Sequence, residues 1–363
     1  MNDLKRINKF RRRLTHLLTA KIGSAKSESR ILTDRENIKS ILVTRPNHRL
    51  GNLLLITPLL QELENDFPNA TVDVFVKGNL ASILLKEYKQ IDRIIALPKN
   101  HFKQLPSYLA AWFKIRKRKY DLVINAVPDS SSGRLSTKLA RADCKIFGDK
   151  INREPSLDES YDHIAKHPVY CLRNTISNNN SIIPKTIPSL SLNISIEEIE
   201  KGRSVLEKIV GSHKKVLTIF TYATGEKCHS KAWWNDFYEA LRNEFPNHTI
   251  LEILPKEKVS QIDFKAATYY SKDLREICSV IANAEAFIGA DSGIMHLAVA
   301  SKTPVIGLFN VTKLKKYAPY GGQNMAINTD QTSISEIIKK LKPIILTTVI
   351  PQNQNSSLFP ESN

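Results

Sequence analysis

The sequence predicts an α/β protein in which a parallel sheet with helices on both faces occurs twice in succession. Two observations carry this: short β-rich apolar runs alternate with longer helical patterns from about Ile38, and the alternation resumes after an Asn, Ser and Pro-rich stretch. A chain of 363 residues, 42 % hydrophobic, is also too long for one comfortable core, so two domains are expected.

In order, SILVTRP reads as a buried strand and NLLLITPLLQELENDFP as one helix ending near Pro68. TVDVFV (strand), NLASILLKEYK (helix), IDRIIALP (strand), SYLAAWFKIRKRK (helix) and YDLVINAV (strand) follow, then a Ser-rich turn into RLSTKLARA. The stretch from Asn174 to Ser195 has no periodicity and reads as a linker. Beyond it come KVLTIFTYA (strand), SKAWWNDFYEALRNEFP (helix), HTILEIL (strand), SKDLREICSVIANA (helix), AFIGA (strand), GIMHLAVAS (helix) and TPVIGLF (strand). The expected division is an arm over 1–37, domains over 38–180 and 181–345, and a polar tail over 346–363.

Four scattered cysteines give neither a disulfide framework nor a zinc spacing, which suits a reducing compartment. No run approaches the roughly 20 apolar residues of a membrane span, and the start lacks a signal-peptide pattern, so a cytoplasmic protein is expected. The net charge of +17 calls for an anionic partner. Much of it lies in LKRINKFRRRLTHLLTAKIGSAK, where Leu4, Ile7, Phe10, Leu14 and Leu17 recur at helical spacing. That pattern fits a basic amphipathic helix on anionic lipid or a basic arm without structure. Aromatic residues interleaved with basic ones are sparse, which disfavours nucleic acid. The absence of Gly-x-Gly-x-x-Gly and of a P-loop disfavours oxidoreductases and kinases.

Three strand-to-helix junctions carry candidate chemistry. In AFIGADSGIMHLAVASKTPVIGLFN, Asp291, Ser292 and Gly293 turn from a strand into a helix, whose free amides make an anion cradle, and His296 lies about one turn further on. In TIFTYATGEKCHSKAWWNDF, Thr221, Thr224, Gly225 and Lys231 supply hydroxyls, a flexible backbone and an ammonium suited to a diphosphate. In TRPNHRLGNLLLITPLLQEL, Gly51 lets backbone approach a ligand, while Arg45, Asn47, His48, Arg49 and Asn52 offer polar groups at the end of the first strand. Each junction also reads as an ordinary capped turn: Asp and Ser are common N-caps, Gly permits tight turns, and Lys227 and Lys231 fit solvated surface charges.

Taken together and in order, RPNHRLGNLLLITPLLQELENDFPNATVDVFV, ATGEKCHSKAWW and FIGADSGIMHLAVASKTPVIGLFN resemble glycosyltransferase family 9, the heptosyltransferase-like enzymes of lipopolysaccharide assembly. The likeness runs from about Ile38 to Leu341. It implies a GT-B fold of two Rossmann-like domains facing across a cleft, the first binding acceptor and the second a nucleotide sugar such as ADP-heptose. It further implies inversion at the anomeric carbon without an essential metal or other cofactor. Thr224 and Lys231 match donor-phosphate contacts; Asp291, Ser292, Gly293 and His296 match the diphosphate and sugar loop; Gly51 matches a glycine approaching the donor. Arg45, Asn47 and Arg49 are then assigned to an anionic lipid-linked glycan acceptor. Where the family places an aspartate base, this chain has Asn52, and an amide cannot take the acceptor proton. His48, on the same loop, is the expected substitute. The expected setting is the inner membrane surface, reached through the basic arm. A degenerate nucleotide-sugar-binding protein, or another enzyme of this fold such as a sugar-nucleotide epimerase, are the alternatives.

Overall fold

The computed structural model describes residues 36–99, 104–149, 159–176 and 186–347. The basic arm before residue 36 and the tail after 347 lie outside the described residues. Two compact units emerge. One takes in the described residues up to Ser195 with Val299–Ser301 and Lys313–Gly321; the other comprises Ile196–Ala298, Lys302–Thr312 and the described residues from Gly322.

The first unit runs β1 (Ser40–Thr44), α1 (Leu50–Leu54), α2 (Thr57–Asp66), β2 (Thr71–Lys77), α3 (Leu80–Leu84), β3 (Ile91–Leu97), α4 (Leu105–Lys117), β4 (Lys119–Asn125), α5 (Ser131–Leu139), β5 (Arg141–Ile146) and α6 (His167–Ile176). Its five strands are parallel in the order β3-β2-β1-β4-β5. The single helix expected over 52–68 is two. Pro58 has no N–H to give the carbonyl of Leu54, and the Thr57 hydroxyl donates to that oxygen instead, at 2.8 Å. The helix expected over 79–89 stops at Leu84, because residues 85–88 close as a turn that buries Tyr88, whose hydroxyl donates to Ser191 O at 3.0 Å. Part of the expected linker therefore packs on this unit: Gln61 Nε2 donates to Ser189 O at 2.8 Å, and Leu190 and Leu192 are buried.

One charge sits inside this sheet. Asp73, fully buried on β2, accepts from the Tyr120 hydroxyl at 2.7 Å and from the Arg93 and Arg118 guanidinium groups. Such a carboxylate is tolerable only because its acceptors are met.

The second unit runs α7 (Ile196–Val210), β6 (Lys215–Phe220), α8 (Lys231–Glu244), β7 (His248–Ile253), β8 (Ala267–Tyr269), α9 (Leu274–Ala282), β9 (Ala286–Ala290), α10 (Gly293–Ala300), β10 (Val305–Phe309), β11 (Met325–Asn328) and α12 (Ile334–Thr347). The short helix Leu314–Tyr317 in between groups with the first unit. The six strands are parallel in the order β11-β10-β9-β6-β7-β8. Trp234, Phe237 and Leu241 of α8 and Ile337 and Leu341 of α12 close a core with Leu217, Ile219, Ile288, Ile306 and Leu308 of the strands. The amphipathic α7 packs on α9, where buried Arg275 donates from Nε and Nη2 to the two oxygens of Glu198 at 2.7 and 2.6 Å.

In each sheet the first strand of the unit lies centrally, and the chain order reverses beside it. Those reversals fall between β1 and β4 and between β6 and β9. Parallel sheets of this kind bind ligands outside the carboxyl ends of the strands at such a reversal.

Candidate active site

Both reversals hold residues singled out from the sequence. In the second unit, β6 pairs with β9 as far as Phe220 and Gly289, so the loops after Phe220 and Ala290 leave the sheet side by side. Gly225 opens a short 3-10 turn with φ of +68°, a backbone conformation that L side chains rarely adopt. That turn brings Lys227 round to Asp291, with Nζ 2.5 Å from Oδ2. Asn310, following β10, donates from Nδ2 to Glu226 O at 2.9 Å, so loops after three neighbouring strands are tied together.

Asp291 is buried, as is His296 in the first turn of α10. Burial, reinforced by Lys227 and opposed by Asp291, pushes the His296 imidazole down to about 4, so it is neutral at pH 7. Ser292 caps the helix, its Oγ accepting from Met295 N at 3.2 Å. The hydroxyl proton stays available, and the amides of Gly293 and Ile294 head α10 without intrahelical acceptors. The Lys227 cation paired with Asp291, the Ser292 hydroxyl, two free helix-head amides and a neutral imidazole thus gather at this end of the sheet, a set whose donors suit a phosphate or diphosphate.

Not every expected donor residue joins that set. The buried Thr221 hydroxyl donates to Glu252 Oε1 at 2.6 Å and accepts from Gln261 N at 3.1 Å, fastening β6 to β7 and its loop. Thr224 is exposed beside Gly225. Lys231 begins α8 on the surface, where its Nζ lies 2.5 Å from Asp263 Oδ1; the lysine held against Asp291 is Lys227. Nothing in the sequence separated these two lysines four residues apart, because the direction of the loop depends on Gly225.

In the first unit, β1 pairs with β2 as far as Phe75 and with β4 as far as Asn125. Arg45 follows directly and is 5 % exposed. Its Nε donates to Asn52 O at 3.3 Å, and no carboxylate pairs with it among the described residues. Burial draws the guanidinium down to about 10, partly offset by Tyr317, which leaves it a cation at pH 7. Asn47 shapes the loop, its Oδ1 accepting from Arg49 N at 2.9 Å. Gly51 and Asn52 are half-buried within α1, and His48 and Arg49 are exposed at the rim. Partial burial, then Lys77, Lys99 and Arg49, hold the His48 imidazole below its usual value. Across the reversal, Asn125 grips Val127 O and Phe147 O at 2.7 and 2.9 Å. Gly133 makes room for it: a Cβ there would lie 2.2 Å from Asn125 Oδ1.

The family model of glycosyltransferase family 9 (heptosyltransferase) matches residues 108–344, more than half of the chain. The chain belongs to glycosyltransferase family 9. Its matched span includes Lys227, Lys231 and Asp291 to His296 and leaves out Arg45 to Asn52. The family 9 chain is 24 % identical over 280 residues to the lipopolysaccharide heptosyltransferase 3 of Escherichia coli, covering 72 % of this chain and 81 % of that one. It is 23 % identical over 304 residues to the lipooligosaccharide heptosyltransferase 2 of Haemophilus influenzae, covering 77 % and 85 %. Among solved structures, a family 9 glycosyltransferase from Veillonella parvula superposes with a TM-score of 0.68 at 16 % identity, covering 86 % of this chain and 99 % of that one. The E. coli heptosyltransferase WaaC with ADP superposes at 0.59 and 16 % identity, covering 85 % and 100 %. These likenesses establish the two-domain, Rossmann-like GT-B fold of this family 9 glycosyltransferase.

Proposed function

We propose that this chain is an inverting heptosyltransferase that moves a heptose-like sugar from ADP-heptose to a hydroxyl of a lipopolysaccharide core or related lipid-linked glycan. The observation that carries this reading is the seat at the second unit's reversal, where Lys227, Asp291 and His296 converge beside the head of α10. The donor diphosphate sits there, held by the Gly293 amide, the Ser292 hydroxyl, the Gly225 backbone and Lys227. The family resemblance also assigns Gly51 to the donor. Relatives named for lipopolysaccharide and lipooligosaccharide heptosyl transfer support the choice of sugar and acceptor. Anionic groups of the acceptor pair with Arg45 and Arg49 beside Asn47. The setting is the cytoplasmic face of the inner membrane, with the basic arm of residues 1–37 as one anchor, and no metal takes part.

In the transfer step the acceptor oxygen attacks the anomeric carbon from the face opposite the leaving group. The bond from that carbon to the phosphate oxygen breaks, its electron pair leaves with the nucleoside diphosphate, and the hydroxyl proton passes to neutral His48. The amides and the Lys227 ammonium stabilise the charge developing on the diphosphate.

The test is an initial-rate assay with a truncated lipopolysaccharide acceptor and either ADP-heptose or UDP-sugars. Turnover with ADP-heptose and an inverted anomeric product is expected; turnover with UDP-sugars only would refute the donor assignment. Asn52 favours a second reading, a protein that binds the nucleotide sugar without transferring it. Tight ADP-heptose binding with no transfer to any core acceptor would select that reading.

A further inference from the structure

The helix α4 presents an apolar stripe to solvent. Leu105, Leu109 and Phe113 are 54 %, 47 % and 69 % exposed. At 3.6 residues per turn, successive members lie about 40° apart, so the three share one face over two turns. The opposite face is anchored: Ala111 and Ile115 are buried against Leu42, Phe75, Ile95, Tyr120 and Val123. The stripe thus rests on a packed support, and the described residues leave it uncovered.

The charges around it indicate which partner. Over Leu105–Lys117 the helix has no acidic residue, and Lys114, Arg116 and Lys117 are exposed in its last turn. None of these three has an ion-pair partner among the described residues. Cations immediately beyond them are neutralised, Arg118 by Asp92 and Asp73 and Lys119 by Asp143. A long apolar face beside uncompensated cations complements a surface that is anionic outside and apolar beneath.

We infer that α4 docks the first unit onto an anionic lipid bilayer, with Leu105, Leu109 and Phe113 entering the acyl boundary and Lys114, Arg116 and Lys117 meeting the headgroups. This contact is separate from the basic arm. It also stands apart from the transferase reading, since it requires no sugar donor and no glycan.

The experiment uses the full chain and vesicles of phosphatidylcholine with or without phosphatidylglycerol. The L105S/L109S/F113S variant changes only exposed side chains, so folding is retained, as a melting curve will verify. It is expected to lose about tenfold in partitioning onto phosphatidylglycerol vesicles. The K114Q/R116Q/K117Q variant is expected to lose a similar factor and to flatten the salt dependence. In F113W, the added tryptophan fluorescence is expected to be quenched by brominated acyl chains. If F113W fluorescence stays unquenched while the chain is vesicle-bound, attachment runs through another segment and the inference fails. It fails equally if the serine variant binds vesicles undiminished but sediments at a smaller mass than the parent, for then the stripe is a contact between copies.

Discussion

Lys227 and Asp291 form an ion pair with Nζ 2.5 Å from Oδ2, joining residues 64 positions apart at the reversal of the second sheet. The pair leaves the seat less negative than a solitary Asp291 would, because the cation offsets a buried carboxylate next to the place assigned to a diphosphate. K227M is expected to raise the ADP dissociation constant by about ten- to hundredfold, since it removes a cation and uncovers an anion together. Calorimetric titration measures this, and K227M/D291N should recover part of the loss. K231M, by contrast, should leave the ADP dissociation constant and the melting temperature near their parent values, because Lys231 is paired with exposed Asp263 and such surface pairs contribute only about 0–1 kcal/mol.

His296 ties stability to acid. Its imidazole is pushed down to about 4 in the folded chain, whereas in the unfolded chain it returns to about 6.5. Above pH 6.5 both states hold it neutral and it adds no pH dependence. Between about 6.5 and 4 the unfolded state takes up a proton that the folded state refuses, so stability falls as pH falls, by on the order of 2–3 kcal/mol at the acid end. Urea melts across that range should show the slope in the parent and a shallower one in H296Q.

Arg45 predicts opposite signs for stability and binding. A buried guanidinium without a carboxylate is costly to desolvate, so R45M is expected to raise stability by about 1–2 kcal/mol. The same change should raise the KM for an anionic acceptor by an order of magnitude and leave the donor KM near its parent value. Chemical denaturation and initial rates measure the two effects. A destabilised R45M would mean that the cation is compensated within the fold.

The base is tested by exchanging candidates. H48Q should lower kcat by about 10²–10⁴, the usual worth of a positioned general base. Because partial burial and then the surrounding cations depress its imidazole, the acid limb of the kcat profile should fall below pH 6.5. N52D placed in H48Q should restore turnover and move that limb toward the carboxylate range.

Asp73 reports on the sheet and not on the reaction. D73A leaves the Tyr120 hydroxyl without its acceptor and loosens Arg93 and Arg118. Because both arginines reach water, a loss near 2–3 kcal/mol is expected, with kcat unchanged at 25 °C.

The strands from SILVT to VIGLF were legible because a parallel strand covered on both faces is a continuous apolar run. Helices α6, α7 and α12 and strands β5, β8 and β11 escaped the reading; α7 and α12 carry a helical apolar period that was there to be read, whereas the strand sequences hide their state. ATY and MAIN are too short to show a period, and RADCKI at the sheet edge mixes charge with apolar residues. The break at Pro58 was visible as a proline, but its consequence depended on where Leu54 O points.

For the candidate site, residue order was enough to place the three strand-to-helix junctions and to identify the family. These are local properties: a strand's end, a turn residue and a helix's first amides follow one another along the chain. Which lysine faces Asp291, that Thr221 is spent on Glu252, that Arg45 is buried without a counter-ion and that α4 turns Phe113 outward are non-local facts. They follow from how loops leave neighbouring strands and which helix face the sheet covers, so they emerge only once distant segments are packed together.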